Sequence, residues 1–304
     1  MPTFTAGRSG KLLDILKDAL PDWKTPTLKQ RLKNRLVLVN AAVVASGAAR
    51  VEAGDAVEIL AVPPTPASRL PLGLGPPPLD ILYADDWLLA VDKPSGLLSV
   101  ASERERNLTA VRLMRDWLQG LDREPCRDLH AAHRLDREAS GVLLFARSLE
   151  GKRQLARSWH TFEKAYLAVV DGVPQQPEGV IDAPLWEDKS LFVRVATRGD
   201  GEAALTRYRL VRKTGNRSLL EVHLGTGRKH QIRVHLAHIG CPIVGDPRYG
   251  VSKAPRLALH ARTLRFRHPH DGRPIEVTAP EPPEFKRFLK KSAQESSGRE
   301  RIVR

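Results

Sequence analysis

Between Asp80 and about Lys290 the chain breaks into a succession of short β-rich runs with few helical stretches among them. WLLAVDK, GVLLFARS, KAYLAVVDG, FVRVAT, ALTRYRLV, LLEVHL, LRFRH and IEVTA are short and rich in branched and aromatic residues, as strands are. Helical spacing appears in TAVRLMRDWLQGL, KRQLARSWHTF, KHQIRVHLAHIG and PEFKRFLKK. A doubly wound fold would alternate each strand with a helix, so this ratio argues against one. The pattern implies an α+β domain built on a mainly antiparallel, mixed sheet.

A smaller α/β unit stands in front of it, over residues 1–62. KLLDILKDAL places Leu12, Leu13, Leu16 and Leu20 at helical spacing, and Pro21 stops that helix. TPTLKQRLKNR follows as a short basic helix carrying Lys29, Arg31, Lys33 and Arg35. LVLVN is a strand that ends at Asn40, and the Gly54-Asp55 turn announces a second strand, AVEIL. Residues 63–79 are rich in Pro and Gly and read as a semi-rigid linker. Residues 291–304 are polar and charged and read as a disordered basic tail.

The balance of 49 Lys plus Arg against 35 Asp plus Glu gives a net charge of +14. That excess favours a polyanionic partner, nucleic acid before an acidic membrane surface. Cys126 and Cys241 are the only cysteines, which makes neither a disulfide framework nor a zinc site and fits a reducing compartment. The N-terminus has no leader pattern, and no run approaches the ~18 apolar residues of a membrane helix. A soluble, cytoplasmic protein is expected.

The chemistry concentrates in three segments. HRLDREASG, residues 133–141, packs a histidine, two arginines, an aspartate and a glutamate into six positions. Asp136 there is either half of a surface ion pair or a carboxylate held for reaction. KAYLAVVDG, residues 164–172, carries Tyr166 in a strand-like run. In GTGRKHQIRVHLAHIGCPIVGDPRYG, residues 225–250, a helix is expected to begin near Arg228. Arg228, Lys229 and His230 in its first turn would suit a phosphate. Arg233 falls beside the Ile232, Leu236 and Ile239 face, where it could meet a carboxylate in a cleft. His223, His230, His235 and His238 do not converge on one side of a helix, so no metal is expected.

Together these segments resemble the RluA family of pseudouridine synthases, over about residues 80–285. HRLDREASGVLLFARS is similar to the family signature, KAYLAVV to its second motif, and GRKHQIRVHLAHIGCPIVGDPRYG with LALHARTLRFRHP to its third block. DDWLLAVDKPSGLLSV resembles the opening strand and turn. Ala139 and Lys229 stand where threonines are usual. Residues 9–61, through LKQRLKNRLVLVN and VEAGDAVEI, resemble an S-four-type RNA-binding domain, with Ala41 in place of a usual glycine.

The resemblance implies isomerisation of uridine in RNA without cofactor or metal. Asp136 would act on the ribose, Arg233 would pair with it, and Tyr166 would lie against the uracil. Arg134 would fill the gap left by the extracted base, and His133 beside it would contact the RNA. Arg228, Lys229 and His230, and more weakly Lys29, Arg31, Lys33 and Arg35, would contact RNA. Ribosomal RNA is the expected substrate over transfer RNA, and the expected state is a monomer. The competing readings are a non-catalytic ribosome assembly factor and a glycosidic hydrolase; the latter needs a second carboxylate, for which Glu138 alone is a candidate.

Overall fold

The computed structural model describes residues 3–23, 25–33, 37–40, 42–44, 46–59, 77–103, 105–119, 128–197, 199 and 201–290. Arg35, the side chain of Lys33, linker residues 63–76 and the tail from residue 291 lie outside the described residues. The chain divides into two units, Met1–Arg69 and Leu70–Arg304.

The first unit runs β1 (Thr3–Thr5), β2 (Gly10–Lys11), α1 (Leu12–Ala19), α2 (Thr25–Lys33), β3 (Val37–Val39), β4 (Ala42–Val43), β5 (Arg50–Val51) and β6 (Ala56–Ile59). Its sheet has the order β1-β6-β3-β4, and β2 pairs with β5. Leu12, Ile15 and Leu16 of α1 bury against Leu28 and Leu32 of α2 and against Val37, Val57 and Ile59 of the sheet. Asn40 takes the left-handed turn at the end of β3 (φ 50°), and its Oδ1 accepts from the Ala56 amide. Sequence reasoning missed β1, whose three residues are too few to show a period.

The second unit runs β7 (Ile81–Ala84), β8 (Leu88–Lys93), α3 (Ala110–Gln119), β9 (His130–Ala131), β10 (Ser140–Ala146), α4 (Leu149–Ser158), β11 (Glu163–Asp171) and β12 (Glu178–Asp182). It continues with β13 (Leu185–Glu187), β14 (Val193–Val195), β15 (Leu205–Thr214), β16 (Arg217–Leu224), α5 (Gln231–His238), β17 (Leu259–Arg267), β18 (Pro274–Thr278) and α6 (Pro283–Lys290). A ten-stranded sheet carries the order β12-β15-β16-β11-β17-β10-β8-β7, with β18 on β17 and β9 on β10, while β13 and β14 form a separate hairpin. Every pairing is antiparallel except β10 with β17. This is the α+β, mixed-sheet class expected from the strand-rich pattern.

Both faces of the sheet are covered. Leu143 and Phe145 of β10 face the cluster that takes in Met114 of α3, Ile232 and Leu236 of α5 and Phe285 of α6. Val142, Leu144 and Ala146 face the other way, toward Leu155 of α4 and Phe162. Burial on both sides explains why GVLLFA is an unbroken apolar run and not an alternating one. Leu79, at the end of the segment read as linker, is buried in the first of these clusters.

The parallel contact between β10 and β17 is brief: Ser140 faces His260 and Gly141 faces Ala261. Beyond it β9 takes the edge of β10, and β18 takes the edge of β17. Gly141 sits at φ 112°, and a Cβ there would fall 2.1 Å from the Ala261 carbonyl oxygen. Only glycine permits this approach. The loop 132–139 ends here, so the point where the sheet parts fixes its exit.

Candidate active site

The loop between β9 and β10 is held from beneath. Leu135 is buried, its amide donates to Ser99 Oγ (3.0 Å), and that hydroxyl donates back to the Leu135 carbonyl (2.9 Å). Lys93, with no exposed surface, donates to the carbonyls of Pro94 (2.9 Å), Leu97 (2.8 Å) and Arg137 (3.3 Å). Burial pulls its ammonium down to about 8, against the nearby Glu138 and Asp136 carboxylates. His133 Nε2 accepts from the Leu144 amide (3.1 Å), and the ring stacks on Trp159 at 4.8 Å. Burial lowers this imidazole to about 4, so it stands neutral at pH 7. With both ends and its middle tied, the loop presents Asp136 to the cleft with 29% of its side chain exposed.

Arg233 comes from α5 and is itself buried, at 2% exposure. Its Nε and Nη2 donate to the two oxygens of Asp246, each at 2.8 Å. Its Nη1 donates to Asp136 Oδ2 at 2.9 Å. The Tyr249 ring lies under the guanidinium, 5.4 Å from its carbon. Burial opposes the charge, but the bonds to Asp246 and Asp136 outweigh burial and hold the guanidinium above its ordinary range. A planar fork gripped by one carboxylate holds its remaining N–H groups in fixed directions, and one on Nη1 meets the second carboxylate. Asp136 Oδ1 accepts no hydrogen bond among the described residues, so one oxygen is open to the cleft.

Tyr166 lies on β11, where the register against β17 slips between Ala165 and Tyr166 and skips Arg262. Bulges of this kind re-aim side chains near sites. Burial, and then the Asp136 charge, push the Tyr166 phenol up, so it holds its proton. Asp136, Tyr166, Arg233, His230, Arg134 and Lys164 all line one cleft of about 580 Å³.

The structure thus brings Asp136, Tyr166, Arg233, His133, Arg134 and His230 together. It corrects the start of the third segment. The helix begins at Gln231, and Arg228 to His230 precede it, with His230 left-handed at φ 54°. The Gln231 side chain caps this turn by accepting from the Arg228 amide, so the turn closes on itself instead of starting a helix. Arg228 Nη1 pairs with Glu202 at 2.7 Å, and Lys229 pairs with Glu187. Arg134, in contrast, is exposed, and its side chain has no hydrogen bond or ion pair among the described residues. In the first unit Lys29 is exposed, and Arg31 lies over the Trp23 ring at 5.4 Å.

Sequence reasoning missed Asp246 and Tyr249, although both stand in the quoted GDPRYG. It also missed Lys152, Trp159 and Lys164, which line the same cleft. Lys164 lies over Trp159 at 5.4 Å, and burial lowers its ammonium. Among the described residues no group of three or more His, Cys, Asp or Glu is arranged to hold a metal. No helix among them is long and apolar enough to cross a membrane.

Residues 87–238 match the family described as RNA pseudouridylate synthase. A ribosomal large subunit pseudouridine synthase D from Xanthomonas campestris pv. campestris is 33% identical over all of this chain and 95% of its own length. A protein of the same name from Nitrosomonas europaea is 32% identical over 92% of this chain and 83% of its own. Among solved structures, human RNA pseudouridylate synthase domain containing 4 superposes with a TM-score of 0.58 at 26% identity, covering 69% of this chain and 91% of that one. The span of these matches, around a cleft whose carboxylate, arginine and tyrosine converge, makes this chain a member of the RNA pseudouridylate synthase family, an enzyme that isomerises uridine to pseudouridine in RNA.

Proposed function

We propose that the substrate is ribosomal RNA and that Asp136 is the residue on which the isomerisation turns. The observation that carries the mechanism is the Asp246–Arg233–Asp136 chain, which aims one carboxylate into the cleft with a free oxygen. A carboxylate so placed can bond to, or take a proton beside, the electron-poor sugar carbon when the glycosidic bond breaks. Tyr166 supplies a ring for the detached uracil to turn against and a protonated phenol beside it. The reaction moves one base from nitrogen to carbon on the same ribose, so these side chains suffice without a cofactor.

The target base has to leave its stack before Asp136 can reach it, which costs a few kcal/mol. Arg134 has a planar, unengaged guanidinium at the mouth of the cleft and takes the vacated place. His133 acts from behind, as a buttress for the backbone that carries Arg134. Lys152 and Lys164, with no ion pair among the described residues, meet phosphates on one wall. Arg228 and Lys229 meet them on the other by exchanging exposed carboxylate partners, a cheap exchange because exposed pairs hold weakly.

The first unit, read as an S-four-type RNA-binding domain over residues 1–62, adds contacts through Lys29, Arg31, Lys33 and Arg35. The names of the relatives favour the large ribosomal subunit as the source of the RNA.

The test is tritium release from RNA labelled at carbon 5 of uracil, run separately on ribosomal and transfer RNA. Wild type is expected to release label from ribosomal RNA, and Asp136→Asn to release none above background. Release from transfer RNA alone would overturn the substrate class. Undiminished release by Asp136→Asn would overturn the role of Asp136.

A further inference from the structure

His230 stands closer to the reacting carboxylate than any role so far requires. Its Nε2 is 3.9 Å from Asp136 Oδ2, and its side chain is 12% exposed. Its backbone is left-handed at φ 54°, in the turn that precedes the helix. Its other ring nitrogen, Nδ1, lies 3.0 Å from the Tyr249 hydroxyl.

That hydroxyl has one proton to give. It already accepts from the Val193 amide at 3.3 Å. Among the described residues its remaining hydrogen-bond partner is His230 Nδ1. If Nδ1 carried a proton, two N–H groups would converge on one phenolic oxygen while the phenolic proton found no acceptor. With Nδ1 bare, the hydroxyl and Nδ1 satisfy each other, and the Nε2 proton is left for whatever enters the cleft. Burial keeps the phenol protonated, and burial together with Arg233, Arg248 and Lys229 lowers the imidazole in spite of Asp136.

We infer that Tyr249 is a positioning residue whose hydroxyl donates to His230 Nδ1 and so places the imidazole proton on Nε2, making His230 a neutral donor facing the cleft beside Asp136. The same ring props Arg233, so one side chain sets both donors of the site. Nε2 is too far from Asp136 for a hydrogen bond in the empty cleft. Its N–H therefore serves an oxygen of the bound nucleotide next to the sugar carbon that Asp136 addresses. A nitrogen that already holds its proton cannot remove the one on carbon 5, so His230 is not the base of this reaction. The assignment of the nucleotide oxygen rests on the proposed mechanism; the tautomer does not.

Full-length protein labelled with ¹⁵N-histidine tests this by NMR at pH 8, with the His230 resonances identified by their loss in His230→Gln. Wild type is expected to show a protonated Nε2 and a bare Nδ1. Tyr249→Phe keeps the ring under Arg233 but removes the donor. The Nε2–H population should then fall toward the modest excess of a free neutral imidazole, and kcat for carbon-5 tritium release should fall about tenfold, the worth of one well-placed hydrogen bond, with KM within about twofold. A protonated Nδ1 in wild type, or an unchanged tautomer in Tyr249→Phe, would overturn the inference. The NMR arm needs no RNA. A correct tautomer in an enzyme that releases no label would sink the substrate reading and leave the Tyr249 assignment standing.

Discussion

Arg233 divides one guanidinium between two carboxylates with different tasks. Asp246 is buried and takes two of its N–H groups; Asp136 is part-exposed and takes one. Removing either partner should therefore have opposite signatures. Asp246→Asn leaves a buried cation short of its compensating charge and should destabilise the second unit by about 3–5 kcal/mol, as broken buried pairs do. Asp136→Asn should abolish turnover with little change in the denaturation midpoint. Urea titrations of both variants would check this, and a smaller stability loss in Asp246→Asn than in Asp136→Asn would refute the division of labour. Asp136 and Arg233 were legible in the sequence because the ordered blocks that hold them resemble a known family's motifs; alone, each would read as a surface charge. Asp246 was not, because an aspartate before Pro247 reads as a turn residue and its contact with Arg233 exists only once the chain folds back. His230 was placed in a helix for a similar reason: nothing local reveals that Gln231 caps the turn before it.

The elements that carry the loop are pinned where β10 and β17 touch. Ser140 Oγ lies 2.8 Å from His260 Nδ1 at this contact, and His260 is 1% exposed. Burial, with Arg256 adding to it, pulls His260 down to about 4. The unfolded chain binds that proton near pH 6.5, so between pH 6.5 and 4 the unfolded state holds more protons than the native one. Stability is whole above that window and falls on acidification through it, by on the order of 3 kcal/mol from this group. His133, lowered to about 4 by burial, acts in the same sense. Melting curves across this range should show the loss in wild type and a reduced slope in His260→Gln. At the same contact, Gly141→Ala should prevent the strands from meeting and yield little folded protein, as measured by soluble expression and circular dichroism. Long apolar strands such as β10 and β11 were readable in the sequence. The two residues of β9 and the mixed EGVID of β12 were not, because their strand character comes from a neighbour's edge and not from their own pattern. The sheet order was beyond reach for the same reason.

At the scale of the molecule, a net charge of +14 acts on RNA as a whole. Deleting residues 1–62 should weaken binding to intact ribosomal RNA while leaving turnover of a short uridine-containing RNA within a few-fold of wild type; equal binding with and without the segment would remove it from substrate recognition. Within the second unit, salt should lower affinity steeply, and Lys152→Gln with Lys164→Gln should each flatten the log–log dependence by up to about one. The buried Lys93 carries a different consequence. Its amine is pulled down to about 8 and is fully enclosed by the carbonyls of the loop that carries Asp136 and of its neighbour. Chemically it is primed to react with an acylating reagent, yet sterically it is shut away. It can be labelled only in the moments when the loop lifts. The rate at which an acetyl mark appears on Lys93, set against the prompt labelling of exposed Lys29 and Lys152, is thus a clock for loop opening, and bound RNA should slow it.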